Sequence, residues 1–150
     1  MPVDEHLLIS QAREAARRTN CVRRAVGAVL VRDGEVIARG ANGVPSNYSN
    51  CREAGCPRCI NGGVTGSGYD TCICIHAEQS AIADAASRGI RTAGSWMYVT
   101  LRPCLQCLAI SKAAGVQGIR YEEYCSFADE IERAYPALAS QFAFLGSALD

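Results

Sequence analysis

Between residues 4 and 18 the apolar side chains Leu7, Leu8, Ala12, Ala15 and Ala16 recur at helical spacing, and Asp4 stands where an N-cap belongs. An amphipathic helix is therefore expected over 4–18. Residues 25–32 and 35–40 are short β-branched runs split by Asp33-Gly34, a dipeptide that favours a tight hairpin turn. A Gly-, Asn-, Ser- and Cys-rich stretch over about 42–71 has no period of either kind and is read as a long loop stapled by metal. Order then returns. Ala77, Ala81, Ile82, Ala85 and Ala86 form one apolar face of a helix over about 76–88, with Gly89 placed to end it. A strand is expected at 96–100, and a helix at 103–114 with Pro103 at its start and Gly115 beyond its end. A second strand follows at 118–121 and a helix at 127–135, while the Ala-, Phe- and Leu-rich tail fits either state. No internal repeat or domain boundary interrupts this order, so the 150 residues read as one domain. The succession of hairpin, helix, strand, helix and strand implies an α/β fold, a mixed sheet with helices on its faces.

Charge adds little to the picture and so excludes something. Fifteen Lys and Arg balance fifteen Asp and Glu. A chain that grips long nucleic acid needs a basic footprint that this balance does not supply, and the expected partner is a small molecule. The first residues, Met-Pro-Val-Asp-Glu-His, lack the basic and apolar regions of a signal peptide. Every apolar stretch is broken well short of a membrane span, so a cytoplasmic protein with no membrane partner is expected.

The nine cysteines change the picture more. Their number is odd, and several fall in short pairs (Cys56 and Cys59, Cys72 and Cys74, Cys104 and Cys107), which points to metal rather than to disulfides. Two segments carry candidate chemistry: His76-Ala77-Glu78 and, 25 residues after Glu78, Pro103-Cys104-Leu105-Gln106-Cys107. Together they match the H-x-E and P-C-x-x-C pattern of zinc deaminases acting on nucleobases. The physical reason is direct. Two thiolates three residues apart at a helix start can reach one ion, and the positive helix end favours their ionised form. His76 completes three protein ligands, which leaves the fourth position of a catalytic zinc open. Glu78, two residues on, is the expected proton carrier. Alone, the C-x-x-C would fit a structural zinc knuckle or a redox pair. A zinc-stapled binding module without turnover is the competing class, but a structural ion needs no proton carrier beside it.

On these residues the chain resembles the cytidine/deoxycytidylate deaminase superfamily, most closely its dCMP deaminases of the cysteine-rich fungal and competence-operon types. The resemblance runs from about 21 to 124 and includes Val26-Gly27-Ala28-Val29, Gly40-Ala41-Asn42-Gly43-Val44-Pro45, Asn50-Cys51, Gly55-Cys56-Pro57-Arg58-Cys59, Cys72-Ile73-Cys74-Ile75-His76-Ala77-Glu78 and Tyr98-Val99-Thr100-Leu101. It implies a three-layer α/β/α sandwich around a five-stranded mixed sheet, a homo-oligomer, and hydrolysis of a cytosine nucleotide to its uracil counterpart. It also implies that Asn42 binds a sugar hydroxyl and that the backbone at Ala77 faces the base. The chain departs from the family pattern at Ala41, where Tyr is usual, at Ser80, where Asn is common, and at Arg102, where a small residue is usual. A free nucleoside, a nucleoside antibiotic or a guanine-type ring is the alternative substrate. Arg88 and Arg102 are candidate phosphate ligands by chemistry, with a solvated surface role as the alternative. Tyr121 and Tyr124 are candidates to flank the substrate, or to serve core or surface.

Cys21, Cys51, Cys56, Cys59, Cys72 and Cys74 remain, with Cys125 expected as a buried thiol. A second, structural zinc stapling the long loop would use four of these six. By resemblance, Cys21, Cys51 and Cys74 match such a site, and the spacing does not choose among the rest.

Overall fold

In the computed structural model the described residues are 3–45, 48–53, 55–60 and 72–148, without the side chains of Arg52, Cys59 and Ile60. Much of the loop expected at 42–71 therefore lies outside the described residues.

Helix α1 (Glu5–Ala16) starts where Asp4 accepts the Leu7 N–H at 3.1 Å, as its cap role requires. Strands β1 (Gly27–Arg32) and β2 (Glu35–Ala41) form the expected hairpin. Its turn has Asp33 at φ 53° and Gly34 at φ 79°, the pair of positive angles that matches the twist of the flanking strands. A bulge between Leu30 and Val31 shifts the register, so that Leu30 faces Ala38 and Val31 faces Val36. A 3-10 turn (Cys51–Glu53) and the four-residue helix α2 (Pro57–Ile60) precede helix α3 (Ala77–Ser87). Strand β3 (Trp96–Leu101), helix α4 (Leu105–Ala113) and strand β4 (Gly118–Glu123) follow.

The C-terminal part differs from the expectation. Helix α5 (Asp129–Ala139) runs past the expected end at 135 and through Pro136, although proline removes a backbone donor. Burial of Tyr135 and the acidic first turn (Asp129, Glu130, Glu132) hold the helix together across it. The ambiguous tail contains a fifth strand, β5 (Phe144–Ser147), parallel to β4.

The sheet order is β2-β1-β3-β4-β5, antiparallel through β1 and β3 and parallel from β3 to β5. Alternate residues serve opposite faces. Ala28, Leu30, Met97, Val99 and Ile119 pack with Ala77, Ala81 and Ala85 of α3, Leu108 of α4 and Tyr135 of α5. Val29, Val31 and Tyr98 pack on the other face against Leu8, Ile9 and Ala12 of α1. This is the three-layer α/β/α arrangement with a five-stranded mixed sheet.

One contact sets the height of α3 above the sheet. A Cβ at Gly40 would lie 2.2 Å from the Ala81 nitrogen and 2.4 Å from the Ala77 carbonyl oxygen, so the helix rests on bare backbone of β2. Among the described residues no helix is long and apolar enough to cross a membrane.

Candidate active site and metal centre

His76 and Cys104 are the N-cap residues of α3 and α4, each with extended backbone. The two helix starts meet. His76 Nδ1 is 3.5 Å from Cys104 Sγ and 3.3 Å from Cys107 Sγ. Zinc bonded to nitrogen at 2.0–2.1 Å and to sulfur at 2.3 Å needs about 3.6 Å between such donors in a tetrahedron. The three residues therefore fit that ion in both donor type and spacing. Exposure is graded across the cluster, with Cys107 buried, Cys104 half-buried and His76 exposed. Solvent thus reaches it from the imidazole side.

Electrostatics separate the two thiols. Hydrogen bonding from Cys107, then from His76, lowers Cys104 to about 4, against the opposing effect of burial. Its place at a helix N-terminus favours the same thiolate. Cys107 is pushed up by the neighbouring Cys104 sulfur and by burial. His76 is raised, chiefly by its hydrogen bond with Cys104.

Glu78 is buried, with 4% of its surface exposed, in the first turn of α3. Burial raises its carboxyl above the ordinary range, while hydrogen bonding from Cys107 and its own backbone opposes the shift. The carboxylate therefore sits against the same three side chains that could hold zinc. Gln79 orients the start of the helix, its Oε1 accepting the His76 N–H at 2.8 Å.

The cysteine-rich segment gathers a second set of sulfurs. Cys21, Cys51 and Cys74 lie together, as do Cys56, Cys72 and Cys74. The Cys51 and Cys74 sulfurs are 3.4 Å apart and those of Cys56 and Cys72 4.0 Å, so neither pair is a disulfide. Burial, then contact with Cys51 and Cys21, pushes the Cys74 thiol up. The Cys59 side chain lies outside the described residues. Cys125 is half-buried rather than buried, its thiol 3.8 Å from the Arg102 carbonyl oxygen.

The other expected site residues are distributed unevenly. Ala77 is fully buried beside His76. Asn42 uses both ends of its amide on the chain that leads into β1: Oδ1 accepts the Val26 N–H at 2.8 Å and Nδ2 donates to the Arg24 carbonyl at 2.6 Å. Arg88 is not brought to the cluster. It closes the far end of α3, roughly 18 Å along the axis from His76, where it donates to both oxygens of Asp84 and to the Ile37 carbonyl. Arg102 lies next to Pro103, but its guanidinium donates to the Cys125 carbonyl and to Glu132. It also lies over the rings of Tyr135 at 3.9 Å and of Tyr124 and Phe127, both at 4.9 Å. Tyr124 is 60% exposed at the edge of that stack, whereas Tyr121 packs against the core. Glu132 and Tyr135 were not singled out from the sequence. Their contacts span 30 and 32 residues, and no local pattern announces them.

A family model described as the cytidine and deoxycytidylate deaminase zinc-binding region matches residues 2–123. The chain belongs to this family. Among the relatives of this family member, deoxycytidylate deaminase of Schizosaccharomyces pombe is 38% identical over 120 residues, covering 80% of this chain and 37% of that protein. Deoxycytidylate deaminase of Mycobacterium phage D29 is 36% identical over 123 residues, covering 79% and 92%. The family member thus spans about a third of the length of the fungal relatives it matches. Among solved structures, dCMP deaminase of cyanophage S-TIM5 in complex with dCMP and dUMP aligns with a TM-score of 0.70 at 25% identity, over 95% of both chains.

Proposed function

We propose that this chain is a zinc-dependent hydrolytic deaminase that converts a cytosine nucleotide, with dCMP the first candidate, to the uracil nucleotide and ammonia. The observation that carries this reading is the buried Glu78 carboxyl set against the His76–Cys104–Cys107 cluster. Zinc held by those three residues supplies Lewis-acid activation of water near neutral pH. Glu78 takes a proton from water and gives it to N3 of the ring as oxygen bonds to C4. It then carries the proton of the new C4 hydroxyl to the exocyclic amine, and the C4–N bond breaks to release ammonia as the C4 carbonyl forms. Burial of Glu78 keeps these protons from leaking to bulk solvent. By resemblance, Asn42 meets a sugar hydroxyl and the backbone at Ala77 faces the base.

The names of the fungal and phage relatives and the dCMP-bound cyanophage structure support the nucleotide as substrate. A nucleoside or another aminated ring is the second reading. It is favoured by Arg88 and Arg102, both of which are engaged within the chain. We also take residues 1–150 as one domain acting in a homo-oligomer in the cytoplasm, with no long nucleic acid as partner. A second, structural zinc is assigned to the loop, with Cys21, Cys51 and Cys74 among its ligands.

Ammonia release from the zinc-loaded protein, measured with dCMP, CMP, deoxycytidine, cytidine, guanine and adenosine, tests the reading. Turnover of dCMP well above deoxycytidine is expected. Turnover confined to another member of the panel would overturn the substrate, and no turnover at all would favour a binding module.

A further inference from the structure

The loop cysteines form two groups of three, and they meet in one atom. Cys21, Cys51 and Cys74 make one group and Cys56, Cys72 and Cys74 the other. Each has the crowding expected around a tetrahedral divalent ion, where sulfurs bonded at 2.3 Å lie about 3.8 Å apart. The measured separations are 3.4 Å for Cys51 to Cys74 and 4.0 Å for Cys56 to Cys72. We infer that the loop holds two divalent metal ions of zinc type bridged by the Cys74 thiolate, extending the single structural ion assigned above.

The backbone explains how one sulfur serves both groups. Cys72 and Cys74 flank Ile73 in a non-helical run that ends in the bridge between Ile75 and Gly43. The sulfurs of Cys72 and Cys74 fall in one group with that of Cys56, so the two side chains of this run face the loop together. Cys21 arrives from the segment after α1, Cys51 from the 3-10 turn and Cys56 from the residue before α2. One tetrahedral ion collects one group and strands the other two sulfurs. Two ions use all five. A thiolate sulfur has lone pairs for two metal bonds, so sharing Cys74 lets each ion keep three protein sulfurs. Loading the pair displaces one proton from each of the five thiols to solvent, with no change of oxidation state.

The test is metal counting on the purified full chain by elemental analysis. The expected result is three zinc ions per chain: two in the loop and one at the His76 cluster. A count of two leaves the single structural ion standing and overturns the bridged pair, and a count of one overturns both. A second readout needs no variant. In protein loaded with cadmium-113, the two loop ions should give resonances in the thiolate region that are coupled to each other through the shared sulfur. Two uncoupled resonances would overturn the bridge. Cys74→Ser is expected to lose both loop ions, whereas Cys56→Ser loses one.

Discussion

The Tyr135 hydroxyl donates to the Pro103 carbonyl oxygen at 2.8 Å, with both residues buried. This single bond ties α5 to the turn that delivers Cys104. The turn is held from its other side by Arg102, whose guanidinium lies between the rings of Tyr135, Phe127 and Tyr124.

Tyr135→Phe removes the donor and leaves a buried carbonyl without it. Stability should fall by about 1–3 kcal/mol, the usual cost of a stranded buried polar group. Urea unfolding of the metal-loaded protein reads this directly. An unchanged midpoint would mean that water replaces the phenol.

Arg102→Lys keeps the charge but loses the planar fork and the ring stacking. Stability should drop by about 1–2 kcal/mol, while the preference for dCMP over deoxycytidine stays as in the parent. If that preference collapses instead, Arg102 is a phosphate ligand and its contacts with Glu132 and Cys125 are secondary.

Glu78→Gln should retain one zinc at His76, Cys104 and Cys107 and lose activity by at least about a hundredfold, since the amide cannot carry a proton. Zinc content and single-turnover ammonia release, measured on one preparation, separate the two roles. Substantial residual turnover would remove Glu78 from the mechanism.

The Asp84 carboxylate is held below its ordinary range by Arg88 first and then by the Arg39 backbone N–H. A group whose folded pKa is depressed stabilises the fold above its unfolded pKa and loses that contribution as pH falls through the folded value. The stability gap between the parent and Asp84→Asn should therefore be constant near neutral pH and narrow as pH falls below the ordinary carboxylate range towards the depressed value. Thermal melts from pH 7 to pH 3 measure it, and a gap that does not narrow over that range would show that packing rather than charge is responsible.

The part of the site that was legible in the sequence is the part built locally. Asp4, the Asp33-Gly34 pair and the apolar face of Ala77, Ala81 and Ala85 act within a turn or two of chain, and each element lies where its pattern put it. The His76–Cys104–Cys107 cluster was readable because each half opens a helix. Long-range partnerships were not. Arg102 looked like a spare cation because the Glu132 carboxylate and the Cys125 carbonyl become its partners only after folding. The Ile37 carbonyl reaches Arg88 in the same way, whereas Asp84 stands at the local i,i+4 spacing from Arg88. Strand β5 was hidden because Phe144–Ser147 gains its strand character from pairing with β4. The loop cysteines signalled metal, but the choice among six depended on which sulfurs the chain brings together.

The bare contact at Gly40 has a consequence for how this site can be altered. Because backbone meets backbone beneath α3, no side chain there can be trimmed or enlarged to raise or tilt the helix that carries His76 and Glu78. The seat of α3 is thus a fixed datum, and any redesign for a larger or smaller ring has to be made through side chains away from this contact.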